Sequence, residues 1–402
     1  NTVGAGAVSF GGAIEAGTAG QETLTIDSGS GNVTFSGAIG LTNALGGLNV
    51  NATSGDGAGT ITFSNDIGDS SAGVKGTTAV GNSATAGIVF SEDTYTFDTG
   101  TTTFTAVSSG DFDLNKGAAT TFTTDGTAIT FAGGEIDLAN GSDLVIDTGA
   151  GAGAITTGEI GGDSTETVTI DAGTGTTSVG VIGTGTEIGT LKIGSAQNGG
   201  ITLNGAITTD GVITIDGPIT LATAAITITT ADDNINLQGT VDGGKALTLA
   251  SGSGAVTVDG AIGSGTALTA LTVNDAGSGT IQIPNIGTSS AAGVTGATAI
   301  GNTSTGTLTL DGTVYTTNAA TYTAATGGGN IDITGAATFT TSADNIAFNT
   351  SGVDLGANVE ITTGTGTDAG TVSFGGAIEA GTAGQETLTI DSGAGNVTFT
   401  GA

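Results

Sequence analysis

Cysteine, methionine, histidine, tryptophan and arginine are absent from this 402-residue sequence, and proline occurs only 2 times. Without cysteine no disulfide can staple the fold, and without Cys or His the usual sulfur and nitrogen metal sites cannot form. The only cations are Lys75, Lys116, Lys192 and Lys245, set against 37 acidic residues, for a formal net charge of -33. So few cations cannot neutralise phosphates, which excludes nucleic acid as a partner, and the same deficit argues against an anionic membrane surface. No apolar run approaches the roughly 18 residues of a membrane helix, so no helical membrane insertion is expected. A signal peptide and an initiator Met are also missing, and the N-terminus reads as mature or internal. One-sided charge costs self-repulsion that salt or divalent cations relieve, which suits an ionic exterior.

What is present is glycine (77 residues), threonine, alanine, serine and a hydrophobic fraction of 37%. Disordered chains are poor in β-branched residues, whereas this one is full of Val, Ile and Thr, the residues of strands. The chain also repeats itself. Val8 to Ala38 returns from Val372 to Ala402 with only Ser30→Ala and Ser36→Thr changed, an offset of 364 residues. Residues 1–402 therefore read as one continuous solenoid, an excerpt of a tandem array with a 364-residue unit. A weaker echo relates the segment before Tyr95 to that before Tyr315, and divides the unit into blocks 24–167, 168–246 and 247–387, with 388–402 opening the next.

The finest period decides the fold. Leu24-Thr-Ile26 returns as Leu48-Asn-Val50, Leu247 returns as Leu271, and Val168 returns as Leu191. Each phrase reads strand, Gly-rich turn, strand, then Ile-Gly, and within each strand apolar and polar residues alternate, as in a sheet with one buried face. A unit of this length cannot bury its apolar side chains alone, but stacked coils share a core. The expectation is an all-β, right-handed parallel β-solenoid (β-helix) of roughly 22–25-residue coils. Stacked about 4.8 Å apart, the 364-residue unit makes a rod of about 70 Å. An array of immunoglobulin-like sandwiches and a large up-and-down barrel are the competing all-β readings, but aromatics amount to 4% and the short repeated phrase fits a solenoid coil better. Leu24, Ile26, Val33, Phe35, Ile39, Ile61, Phe63, Ile170, Val258 and Ile283 should face inward, and Thr23, Thr25 and Thr34 outward.

Any catalysis would have to use Asp or Glu pairs, as glycoside hydrolases do. Glu92-Asp93, Asp111 with Asp113 and Asp232-Asp233 are the candidates by proximity, but such acids are ordinary in turns, and the reading is non-enzymatic. Oxygen ligands leave calcium as the metal to consider. The repeat motif of calcium-binding β-rolls is absent, so the expectation is no cofactor, with weak calcium candidates only at Asp163, Asp232 and Asp233. Threonine pairs such as Thr23/Thr25 and Thr167/Thr169 invite an ice-binding reading, but their neighbours in the repeat, Asn49/Asn51 and Thr190/Lys192, break the array. Tyr95, Tyr315 and Tyr322 read as packing residues at coil corners. The longer turns near 66–85 and 285–305 are the candidates for lateral contacts.

The phrases LTIDSGSGNVTFSGAIG, LTLASGSGAVTVDGAIG and LDGTVYTTNAATYTAA resemble those of giant bacterial surface proteins with β-strand repeats, the filamentous-haemagglutinin-like and autotransporter-like β-solenoid adhesins. The resemblance implies export across a Gram-negative envelope and a role in adhesion, aggregation or a surface coat. It leads to the expectation of a structural element of an extracellular bacterial filament, coat or adhesin shaft that repeats or stacks end to end with itself. A ligand-binding adhesin module contacting a glycan or neighbouring cell surface is the alternative. Residues 1–7 run straight into the repeat and Gly401-Ala402 fall inside a phrase, so neither end is expected to be capped.

Overall fold

The computed structural model describes residues 6–53, 57–183, 185–195, 199–274, 276–326, 328–349, 352–364, 366–367, 369–382 and 384–401. The expectation of uncapped ends involves residues 1–5 and 402, which lie outside the described residues. The chain forms two compact units, Asn1–Thr202 with Thr208–Asp210, and Leu203–Ile207 with Gly211–Ala402. Each is a parallel β-solenoid, as the recurring phrase predicts.

In the first unit the chain winds through three parallel ladders, one of which the early coils meet only through the single-residue bridges of Ile14 with Ile39 and Ile39 with Ile67 before strands take over. One such coil consists of Asp111–Leu114, Thr120–Thr123 and Ile129–Ala132. Its strands pair in parallel with Glu135–Leu138, Leu144–Asp147 and Ile155–Thr156 of the next coil. The spacing seen in the sequence is the register itself: Leu24 pairs with Leu48, and Val168 pairs with Leu191. The second unit repeats the pattern, with Leu247 on Leu271 and Val256 on Ile281. Coil lengths vary more than the phrases suggest, as the short step that pairs Ile235 with Val256 and the long one that pairs Leu48 with Thr78 show. The difference is absorbed in the turns, which leave the strands in register.

Alternation within the strands builds the core. Val33–Phe35, Val256–Val258 and Ile281–Ile283 each bury their first and last residues and leave the middle one half-exposed. Ile26, Phe35, Ile61, Phe63, Ile170, Val258 and Ile283 are all buried, and each such side chain contributes about 1.5–3 kcal/mol relative to exposure. Leu24 is only half-buried, because its strand has a described neighbour on one side alone, Gly47–Val50. Like residues stack on like: Phe10, Phe35, Phe63 and Phe90 form a column with ring centroids 5.3, 5.0 and 5.7 Å apart. A similar column in the second unit runs from Tyr322 through Phe348 and Phe374 to Phe399 at 5.3, 5.0 and 5.3 Å.

Two corner features hold the register. At one corner, successive coils approach so closely that only glycine fits: a Cβ on Gly239 would lie 2.0 Å from the Gly217 carbonyl oxygen, and one on Gly37 2.3 Å from the Gly12 carbonyl carbon. At another, Asn51 sits in the left-handed region (φ 48°) with its side chain turned inward. Its Oδ1 accepts the Ser28 backbone N–H at 2.8 Å, and its Nδ2 donates to Ser28 Oγ at 2.9 Å. Asn274 (φ 46°) holds Ser251 at the same two distances. Both pairs are buried and mutually satisfied, so a slip of one residue would strand four polar groups in the core.

Candidate functional site

The lengthened coils carry the most distinctive surface feature. Between the strands Thr60–Phe63 and Gly87–Phe90 the chain is pinned by Ile67, which bridges Ile39 and Tyr95, and by Val74, which bridges Leu45 and Phe97. Between these anchors a turn opens at Gly68 (φ 72°) and closes at Gly73, whose N–H donates to the Thr96 carbonyl at 2.9 Å. Thr96 Oγ1 donates to the Asp69 carbonyl at 3.3 Å. The second unit builds the same turn from different residues. Ile286 bridges Ile262 and Tyr315, Val294 bridges Leu268 and Thr317, and Gly287 has φ 73°. Gly293 N–H donates to the Thr316 carbonyl at 2.8 Å, and Thr316 Oγ1 donates to the Thr288 carbonyl at 2.7 Å.

Each turn overhangs the following two coils and encloses an open groove, of about 290 Å³ beneath Ser70-Ser71 and about 240 Å³ beneath Ser289-Ser290. Each of the ranges expected to make lateral contacts holds two exposed turns, at Asp69-Ser70-Ser71 and Ser83 in the first and at Ser289-Ser290-Ala291 and Thr303-Ser304 in the second, separated by a strand. Thr78–Val80 and Thr298–Ile300 are strands with both end residues buried.

The acidic candidates are scattered. Asp163 belongs to the first unit, Asp232 and Asp233 to the second. Asp163 lies beside the buried Glu166, whose Oε2 accepts the Asp163 backbone N–H at 2.8 Å. Hydrogen bonding to Glu166, then to Thr165, holds the Asp163 carboxyl below its ordinary value. Asp232 Oδ1 accepts the Ser253 N–H at 2.8 Å, which lowers its carboxyl in the same sense. Asp233 is exposed, and its carbonyl accepts a hydrogen bond from Thr230 Oγ1 at 2.5 Å.

Glu92 and Asp93 do meet a third acid, Asp66, with carboxylate oxygens of the three within 4.8 Å of one another. Asp66 was not legible as a partner because it lies a full coil away; the bridge between Ile67 and Tyr95 brings it there. Burial, then the charges of Asp93 and Glu92, raise the Asp66 carboxyl, while the Thr94 N–H partly opposes them. Lys116 already pairs with Glu92. At the matching places in the second unit stand Asn285, Gly312 and Thr313, so the cluster is not a repeated feature.

Asp111 and Asp113 face outward and stack in register on Glu135 and Asp137. They form a ladder along an open sheet face, and do not oppose one another across a cleft as a glycosidase pair does. Burial, then neighbouring carboxylates, raise Asp113, Glu135 and Asp137. Asp332, in register with Asp354, is raised likewise. Carboxyls raised in the folded state hold protons that the unfolded chain releases, so their contribution is fully favourable below the unfolded values of 3.8–4.5 and is lost as pH rises through the folded values. Asp163 and Asp232 act in the opposite sense, but only below about pH 4. Thermal melts should therefore show the midpoint rising on acidification from about pH 7.5 to about 4.5. A midpoint that falls over that interval would contradict the burial of this ladder.

The three tyrosines lie in the core, fully or almost fully buried. Tyr95 and Tyr315 occupy equivalent positions, each hydroxyl accepting a backbone N–H three residues earlier, from Glu92 at 3.2 Å and from Gly312 at 2.8 Å. The threonine pairs form no flat array. Thr23 and Thr25 pair with Gly47 and Asn49, two residues earlier than the Asn49/Asn51 match expected from sequence, and Thr167/Thr169 pair with Thr190/Lys192. Among the described residues no helix is long and apolar enough to cross a membrane. Comparison with protein families, with curated proteins and with solved structures finds no match to this chain.

Proposed function

We propose that this protein is a non-catalytic structural element of an extracellular bacterial filament, surface coat or adhesin shaft, extended by repetition of the 364-residue unit. The observation that carries this reading is that both copies of the repeated sequence stack alike: Val8–Phe10 pairs with Val33–Phe35 and Val372–Phe374 pairs with Val397–Phe399, with the phenylalanine rings 5.3 Å apart in each. Coils of one unit sequence can therefore lie on coils of the next in the same register. Such stacking is heterologous and non-closing, which produces fibres and not rings.

The setting outside a Gram-negative cell rests on the resemblance to β-repeat surface proteins and on the one-sided charge. No cofactor is required, and calcium enters only as a weakly held counter-ion of acidic turns. Intact mass and electron microscopy of the native material test the proposal. Thin rods with an axial repeat of about 70 Å are expected, from coils about 4.8 Å apart. A compact, monodisperse globule would overturn it.

A further inference from the structure

One face of each unit differs from the rest of its surface. In the first unit the seven strands from Thr23–Ile26 to Thr177–Val179 stack in one ladder, and none holds a charged residue. The outward row runs in register through Thr25, Asn49, Ala79, Thr103, Thr130 and Thr156. In the second unit the eight strands from Ile226–Thr230 to Val397–Phe399 are equally free of charge. The row there runs through Thr248, Thr272, Ala299, Thr321, Ala347 and Ser373. These are the same positions of the repeat: Ala79 precedes Val80 as Ala299 precedes Ile300, and Thr103 precedes Phe104 as Thr321 precedes Tyr322.

The other ladders carry charge on their outward rows. The first unit has Asp111, Asp113, Glu135 and Asp137 on one, and Asp147, Asp171 and Lys192 on another. The second has Asp332, Asp354 and Glu379 on one, and Glu360 and Asp391 on another. At a formal charge of -33, two copies of this chain repel wherever carboxylate rows meet. Among the strand ladders, only the uncharged ones let two copies approach without that cost. Their side chains are small, so opposed backbones come close, and identical rows repeating every ~4.8 Å interdigitate as in a dry interface between paired sheets. Threonine and serine hydroxyls both donate and accept, so opposed rows satisfy one another. Eight strands about 4.8 Å apart and about 13 Å long present about 500 Å², so a pair of faces buries about 1,000 Å², the low end for a specific contact. Acids return beside the strand ends, as Asp27 after Ile26 and Asp344 before Ile346, and form a rim whose repulsion salt screens.

We propose that this face docks a second copy of the chain, uncharged row on uncharged row, so that copies pair side by side. The contact is lateral; it adds to the end-to-end repetition and does not depend on it.

Sedimentation velocity and small-angle scattering of the intact chain test it. Association should grow with concentration and tighten as ionic strength rises from about 0.05 to about 0.5 M, because the acidic rims are screened. The associated species should have a larger cross-section than the monomer, whereas end-to-end stacking leaves the cross-section unchanged. Thr103→Asp with Thr321→Asp places like charges at the centre of both faces and should weaken association about a hundredfold. Both positions are half-exposed, so the melting midpoint should hardly move. Thr121→Asp with Thr257→Asp, on the outward row of another ladder, should leave association intact. A chain that stays monomeric, an associated species with the monomer's cross-section, or association that survives in the face variant overturns the proposal and leaves the structural role untouched.

Discussion

An aspartate in place of Ile170 is expected to abolish cooperative unfolding of the first unit. Ile170 is 0% exposed and stands in an interior ladder between Ile146 and Ile193. A carboxylate there has no partner among its apolar neighbours, and an unpaired buried charge costs several kcal/mol or forces protonation. Domains are stable by only about 5–15 kcal/mol, so the loss consumes much of the margin. In a solenoid each coil contacts only its neighbours, so one failed coil also uncouples those on either side. Ile283→Asp in the second unit should behave alike. Phe63→Ala removes one ring from the phenylalanine column and should cost about 3–5 kcal/mol. Circular-dichroism melts and urea titrations measure all three, and a change below about 1 kcal/mol at both isoleucines would mean that the inward-facing set has been assigned to the wrong side.

Much of this architecture was legible because the physics that builds a solenoid writes itself into the sequence as a period. Leu24 and Leu48, Val168 and Leu191, and Leu247 and Leu271 are sequence echoes that prove to be register partners. The alternation Val-Thr-Val at 256–258 is buried, half-exposed, buried. What was not legible depends on the distance between coils. Gly239 looks in sequence like any turn glycine; only the stacked backbone shows that the Gly217 carbonyl fills the space a side chain would need. The inward turn of Asn51 onto Ser28 is equally silent, since asparagine after a strand normally signals a solvated turn.

At the candidate site, the long turns could be located from their length, but their grooves could not, because the coils beneath contribute Thr96 and Thr123 from later in the chain. Asp66 joined Glu92 and Asp93 unforeseen for the same reason. A period in sequence gives the ladder on which a residue sits. It does not give the side chains that variable turn lengths bring alongside it, as Asp66 beside Glu92 and Asp93 shows.

The central claim is that these coils stack in parallel with the pairings described, and cross-linking tests it most directly because the chain has no cysteine of its own. Thr169 and Lys192 are register partners with outward-facing side chains, as are Thr248 and Thr272 in the second unit. Directly paired strands place Cα atoms about 4.8 Å apart, within the roughly 4.4–6.8 Å that a disulfide spans. Thr169 and Thr190, two positions out of register, lie roughly 8 Å apart, beyond that reach. Mild oxidation of the folded double variants, read as a mobility shift and by peptide mass, should link Thr169→Cys to Lys192→Cys and Thr248→Cys to Thr272→Cys almost completely. The Thr169→Cys/Thr190→Cys variant should stay reduced. Failure of both in-register pairs to link, or equally efficient linkage of the out-of-register pair, would contradict the parallel solenoid.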